Sequence, residues 1–248
     1  MNAPRRLLVT GGSRGIGQAT ARLAAQRGWP VAVNYLRDAD AAEAVANAVR
    51  AAGVAGVALQ ADVGDEEQVA RLFDAAAGAL GGLDAVVVNA GIVAPASPLA
   101  EMSLDRIERV VHTNLIGALL TAREAARRLP REGVPASIVL VSSVAARLGS
   151  PDEYVDYAAS KGALDTLAVG LAKELAPRGV RVNAVRPGVI DTGIHASGGA
   201  PDRAWRVAAA VPMKRPGTAD EVAEAILWLA SAEASYVTGA ILDVSGGR

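Results

Sequence analysis

Leu7-Leu8-Val9-Thr10-Gly11-Gly12-Ser13-Arg14-Gly15-Ile16-Gly17 is an apolar run, a glycine-rich turn and the start of a helical stretch. Glycines let a backbone turn sharply and approach a pyrophosphate, which then rests on the N-terminus of the next helix. Gly11, Ser13, Arg14, Gly15, Ile16 and Gly17 are therefore the candidate phosphate contacts. The spacing is Gly-x-x-x-Gly-x-Gly, and its place between a strand and a helix is the context that gives it meaning.

The same alternation continues along the chain. Apolar runs at Leu7–Thr10, Val31–Tyr35, Gly56–Gln60, Ala85–Val88, Ser137–Val141, Arg181–Val185 and Ala240–Val244 read as strands covered on both faces. Helical stretches lie between them at Gly17–Arg27, Ala41–Ala52, Glu66–Leu80, Ser103–Leu129, Tyr157–Ala176 and Thr218–Ala230. Strand and helix in strict turn predict an α/β fold: one Rossmann-type, doubly wound, seven-stranded parallel sheet with helices on both faces. A chain of 248 residues with no linker or repeat predicts one domain over 1–248. Apolar residues make up 51% of it, yet no run approaches the ~20 residues of a membrane span. No targeting segment is read in Met1–Arg6. The net charge of -1 argues against nucleic-acid or membrane attraction. Without cysteine, and with His112 and His195 far apart, no metal site is expected. A cytoplasmic location is consistent with this.

The second strand ends Val33-Asn34-Tyr35-Leu36-Arg37, where a dinucleotide site discriminates its ribose. No acid stands there before Asp38, while Arg14 and Arg37 flank the position. Guanidinium forks suit a 2′-phosphate, so Asn34, Tyr35 and Arg37 are read as cofactor contacts and NADP(H) is preferred, with NAD(H) second. Asp62 and Val63 follow the third strand, either at an adenine edge or in a turn. Asn89-Ala90-Gly91 follows the fourth, with small residues suited to close backbone approach. Asn114 sits mid-helix, where asparagine is a poor former, and implies a kink or a site.

Tyr157-Ala-Ala-Ser-Lys161 places a phenol and an ammonium four apart on one helix face. Ionising a tyrosine at pH 7 costs about 4 kcal/mol. A cation ~4 Å away at an effective dielectric of ~20 offers roughly that much. The lysine is thus expected to make the tyrosine a usable proton donor and acceptor. Ser142 and Ser143 end an apolar run just upstream.

Taken together, these motifs resemble a classical short-chain dehydrogenase/reductase over essentially the whole chain, most of all the 3-oxoacyl-acyl-carrier-protein reductase and glucose 1-dehydrogenase type. The resemblance implies hydride transfer between a nicotinamide and a carbonyl or secondary alcohol of a small molecule. It gives Tyr157 the role of general acid/base and Lys161 that of lowering its pKa and holding the ribose. Ser143, rather than Ser142, holds the substrate oxygen, and Asn114 supports a water of the proton relay. Asp62 and Asn89 fall beside the adenosine, and Pro187, Gly188, Ile190 and Thr192 in the turn that locks the nicotinamide. Tyr154 is a competing phenol without a lysine four residues on. Where the family often has Asn-Asn-Ala-Gly, the first Asn is Val88 here. The rivals are a carrier-protein-specific oxoacyl reductase, a cofactor-binding redox sensor without chemistry, and a lyase or dehalogenase on the same scaffold. Lys161 argues against the dehalogenase.

Residues 193–212 hold consecutive glycines and are expected to form a substrate lid. Within it His195 is read first as a solvated loop residue and second as one facing the substrate. Arg127, Arg128, Arg131 and Arg178 are a candidate basic face for an acyl carrier protein. The helix from Tyr157 is small or apolar nearly all round, which predicts burial on two sides. The family resemblance implies a homotetramer, with this helix and the C-terminal segment at its contacts.

Overall fold

A computed structural model describes residues 5–131 and 133–248. The lead-in read at Met1–Pro4, and Glu132, lie outside the described residues. The strands are β1 (Leu7–Val9), β2 (Val31–Tyr35), β3 (Gly56–Gln60), β4 (Ala85–Val88), β5 (Ala136–Val141), β6 (Val180–Pro187) and β7 (Ile241–Val244). They form one sheet in the order β3-β2-β1-β4-β5-β6-β7, every neighbouring pair parallel. The chain runs outward from β1 to β3, then crosses back to place β4 on the other side of β1. The carboxyl ends of β1 and β4 thus flank the point where strand order reverses, where such sheets open a crevice.

The helices are α1 (Gly15–Gln26), α2 (Ala39–Ala51), α3 (Glu66–Leu80), α4 (Leu104–Val111), α5 (Gly117–Arg128), α6 (Ala145–Leu148), α7 (Val155–Leu175), α8 (Ile194–Ser197), α9 (Arg203–Arg206) and α10 (Ala219–Ala230). Alternate strand residues point to opposite faces. Leu7, Val9, Val31, Val33 and Val139 meet α1, α2 and α10 on one face. Leu8, Val86, Ile138, Leu140 and Val182 meet α3, α5 and α7 on the other. Both faces are covered, which is why the strands read as unbroken apolar runs.

The helix expected over Ser103–Leu129 is interrupted. His112–Ile116 forms a π-helical turn between α4 and α5. A wide turn of this kind inserts one residue into the ladder, and such turns gather at functional sites. Asn114 is at its centre and fully buried. The helix expected from Tyr157 begins two residues earlier, at Val155. The segment 193–212 carries the short helices α8 and α9 and a 3-10 turn at Ala208–Ala210.

Candidate active site

The glycine turn is stitched to the end of β4. The Thr10 hydroxyl accepts from the backbone N–H groups of Asn89 (3.0 Å) and Ala90 (3.2 Å). The Asn89 side-chain amide donates back to the carbonyls of Thr10 (2.9 Å) and Gly11 (3.0 Å). Gly11 has φ +61°, and a Cβ there would come within 2.9 Å of Ala90 Cα. A Cβ on Gly17 would lie 2.4 Å from the Gly11 carbonyl oxygen. The backbone is therefore packed as closely as glycine allows. No side chain caps the N-terminus of α1 and no acid lies in its first turn. Its free N–H groups and positive dipole end are left available to an anion. This cradle fits a pyrophosphate, and Thr192 stands against Gly15 across it, bringing the 187–192 turn to the same crevice.

Asn34 departs from its expected place among the cofactor contacts. Its side chain is buried, accepts from the Gly11 N–H at 3.2 Å and donates to the Ala61 carbonyl at 3.0 Å. It braces the glycine turn from within. Tyr35 is half-buried. Arg14 and Arg37 are exposed, and their guanidinium groups have no ion pair or hydrogen bond among the described residues. Asp38, the first acid after β2, caps α2 by accepting from the Ala41 N–H at 3.0 Å. Asp62 takes the turn role, accepting from the Gly64 N–H at 2.8 Å, and Val63 is buried against Gly117.

Around Tyr157 and Lys161 the structure gathers Ser143, Asn114 and Gly91. The Lys161 ammonium lies 5.6 Å from the centre of the Tyr157 ring and donates to the Val141 carbonyl at 2.8 Å. Burial lowers its pKa to about 8, with the charge of Asp165 pulling the other way. Burial raises the Tyr157 phenol, and the facing Ser143 hydroxyl opposes that. At helical spacing a lysine charge is large enough to offset the cost of ionising the phenol, but within this fold desolvation outweighs it. Ser142 is turned away, its hydroxyl donating to the Lys161 carbonyl at 3.0 Å. The Asn114 side chain donates to the Ile92 carbonyl (2.9 Å) and to Ser160 Oγ (3.3 Å), and accepts from the Ile92 N–H (2.8 Å). Ser160 in turn donates to the Tyr157 carbonyl at 2.7 Å. Gly91 lies against both Asn114 Oδ1 and Lys161 Nζ.

Three connections escaped the sequence reading. Arg106 on α4 donates to both carboxylate oxygens of Asp156 and to the carbonyls of Pro95 and Glu153. Ser160 links Asn114 to the tyrosine helix. Asp165 pairs with Arg186 at 2.8 Å. The only hint in the sequence was the acid in Tyr154-Val-Asp-Tyr157, adjacent to the phenol.

Two expectations are corrected. His195 is half-buried, its Nε2 at 2.9 Å from the Ile190 carbonyl, so it ties α8 to the 187–192 turn instead of standing in solvent. Arg127 and Arg128 pair with Glu124, Arg128 also with Asp74, and Arg131 with Asp84. These three, and Arg178, lie where helices end and strands begin, at the pole opposite the crevice. A carrier docking there would sit far from the phenol. Tyr154 is buried beneath Arg203, whose guanidinium carbon is 5.3 Å from the ring centre.

The family model described as enoyl-(acyl carrier protein) reductase matches residues 11–248. An uncharacterised oxidoreductase of Escherichia coli, YgfF, is 54% identical over 97% of this chain and 98% of its own. A 3-ketoacyl-(acyl-carrier-protein) reductase from Brucella melitensis, solved with NADH, superposes with a TM-score of 0.91 at 31% identity, covering 98% of this chain and 97% of that one. A short chain dehydrogenase from Burkholderia cenocepacia, solved with NADP, gives 0.89 at 37% identity, with the same coverage. A glycine cradle at the strand-order reversal, a half-buried tyrosine and a buried lysine beside a serine, and these likenesses across nearly the full length lead to one assignment: the chain belongs to the short-chain dehydrogenase/reductase family of oxidoreductases acting on CH–OH and C=O groups.

Proposed function

We propose that this protein is an NADP(H)-dependent reductase or dehydrogenase of a small carbonyl or secondary alcohol, with Tyr157 as general acid/base. The observation that carries the reading is the convergence of the Tyr157 phenol, Ser143 and the Lys161 ammonium beside the glycine cradle. Bound at the cradle, the dinucleotide supplies or accepts the hydride. Tyr157 gives its proton to the oxygen as negative charge develops there, and Ser143 steadies that oxygen by donating a hydrogen bond. Lys161, ammonium at neutral pH, favours the ionised phenol left behind. Asn114 fixes the loop after β4 against the tyrosine helix. In the cradle, Gly11, Ser13, Gly15, Ile16 and Gly17 lie along the phosphates, while Asp62, Asn89, Ala90 and Gly91 border the nucleoside. Pro187, Gly188, Ile190 and Thr192 form the wall nearest the nicotinamide.

The preference for NADP(H) is supported by two unpaired guanidinium groups, Arg14 and Arg37, and by the use of Asp38 as a helix cap. Measured kcat/KM is expected to favour NADPH over NADH, and Arg37→Ala to narrow the gap; a clear NADH preference in the wild type refutes this. The catalytic reading is tested with Tyr157→Phe. NADPH binding is expected to stay nearly unchanged by fluorescence titration, while turnover falls by about 10²–10⁴-fold or more. A variant with near-wild-type turnover on any accepted ketone overturns it. Ketones, quinones, sugars and oxoacyl thioesters form the screening panel.

Residues 193–212 act as the substrate lid in this reading, held by the Trp205 Nε1 hydrogen bond to Asp191 and by Arg203 on Glu153. We also propose a homotetramer in the cytoplasm. Support for assembly comes from the exposed small face of α7, with Ala159, Thr166 and Gly170, and from exposed Leu104, Ile116 and Leu119 on α4, the π turn and α5. Only monomer in sedimentation at micromolar concentration would count against it.

A further inference from the structure

Asp165 stands one helical turn beyond Lys161 on the same face of α7, and both side chains are buried. One carboxylate oxygen, Oδ2, is held by Arg186 through Nε at 2.9 Å. The other, Oδ1, is buried and has no hydrogen-bond partner among the described residues. An ionised oxygen left in that condition is costly unless a nearby positive charge compensates it. Arg186 is itself drawn the other way, toward Asp243 on β7 at 3.5 Å, and Asp243 faces Arg147 on α6 at 3.4 Å. Beyond Lys161, one helical turn away, paired charges therefore alternate outward from Asp165 through Arg186 and Asp243 to Arg147.

The groups facing the ammonium are few. Its own helix contributes Tyr157 and Asp165, β5 contributes the Val141 carbonyl, and the π turn contributes the uncharged Asn114 amide. Among the described residues, Asp165 is the carboxylate whose charge favours the ammonium form of the lysine. A lone carbonyl is poor compensation for a buried ammonium, so the carboxylate is placed to oppose the desolvation that favours the neutral amine.

We propose that Asp165 is a positioning residue for the reaction: held by Arg186, it supplies the negative charge that keeps the buried Lys161 in its ammonium form while Tyr157 exchanges its proton. This rests on the reading of Tyr157 and Lys161 given above, but its test does not need turnover. The chain has three lysines, Lys161, Lys173 and Lys214. Protein labelled with ¹³C-lysine therefore gives three side-chain signals, assignable with Lys173→Arg and Lys214→Arg.

In the wild type, the Lys161 signal is expected to titrate with a midpoint near 8. Asp165→Asn is expected to lower that midpoint by at least about one pH unit, since the carboxylate is gone and the Arg186 charge is left facing inward. Arg186→Gln is expected to move it upward, because Asp165 then has no stronger cation to share its charge. Opposite shifts from the two variants are not what a merely structural pair would give. In parallel, the alkaline limb of kcat/KM for carbonyl reduction should move to lower pH in Asp165→Asn. An unchanged Lys161 midpoint in Asp165→Asn overturns the proposal. Should that variant fail to fold, an unchanged or lowered midpoint in Arg186→Gln overturns it instead. Near-wild-type turnover in Tyr157→Phe with both midpoint shifts intact would refute the catalytic reading and leave this one standing.

Discussion

Asp156 immediately precedes the candidate proton donor, and its side chain is 2% exposed. Arg106 is 11% exposed and reaches it from α4 at 2.9 Å, while also holding the Pro95 and Glu153 carbonyls. A single guanidinium thus joins the loop after β4, the approach to α7 and the residue beside Tyr157. Removing one member of a buried pair leaves the other charge uncompensated, at a cost of about 3–5 kcal/mol. Arg106→Gln is expected to lower unfolding stability by that order in urea titrations and to reduce kcat more than NADPH affinity. Equal stability in the two proteins would remove Arg106 from this account. At this scale the sequence was partly readable. Tyr157 and Lys161 announce themselves through helical spacing, which is local. Arg106 and Asp156 are fifty residues apart in a pair that only the packed fold brings together, and no local pattern marks it.

Among the elements, α10 shows how both ends of a helix are satisfied. Thr218 accepts from the Glu221 N–H at 3.2 Å, and the Glu221 carboxylate accepts from the Thr218 N–H at 2.8 Å, a reciprocal cap. At the other end Arg181 donates to the carbonyls of Leu229 (2.7 Å) and Ser231 (2.7 Å), and Arg5 to that of Ala230. Burial lowers the Arg181 pKa to about 10, with the nearby Arg5 charge adding to the fall, so the guanidinium is still charged at neutral pH. Thr218→Ala should cost about 1 kcal/mol in denaturant unfolding, with cofactor binding unchanged. Arg181→Met should cost more, on the order of 3 kcal/mol, because several carbonyls lose their donor at once. The reverse ranking would show that the helix end is solvated. Strand positions were legible to within a residue or two because a strand covered on both faces must be apolar throughout. The π turn was not: Val110, Val111, Asn114, Leu115 and Ala118 keep a pattern that an ordinary helix would also show. What distinguishes the wide turn is backbone hydrogen bonding, which side-chain spacing does not report.

Across the whole molecule, the pole away from the crevice is locked by charge. Burial pushes the Asp84 carboxyl up, but hydrogen bonds from Arg6 and Arg131 outweigh it and hold the pKa at about 2, below the ordinary 3.8. Because the folded value is the lower one, this contribution is fully present above pH 4 and fades as pH falls through 2. Asp84→Asn is expected to be less stable at pH 7, and to lose less further stability than the wild type between pH 4 and pH 2, as read from urea midpoints. Parallel pH profiles would refute the linkage. The turn at His112–Ile116 reaches as far. Each residue in a helix adds about 100° of rotation. The wide turn absorbs its extra residue locally, so α4 and α5 each keep their own face to the sheet and Ala118, Ala122 and Ala125 stay inward. Loss of one codon there would leave the packing of α5 in phase yet withdraw Asn114 from Ile92 in the loop after β4, so the bend serves the asparagine's reach and not the interior.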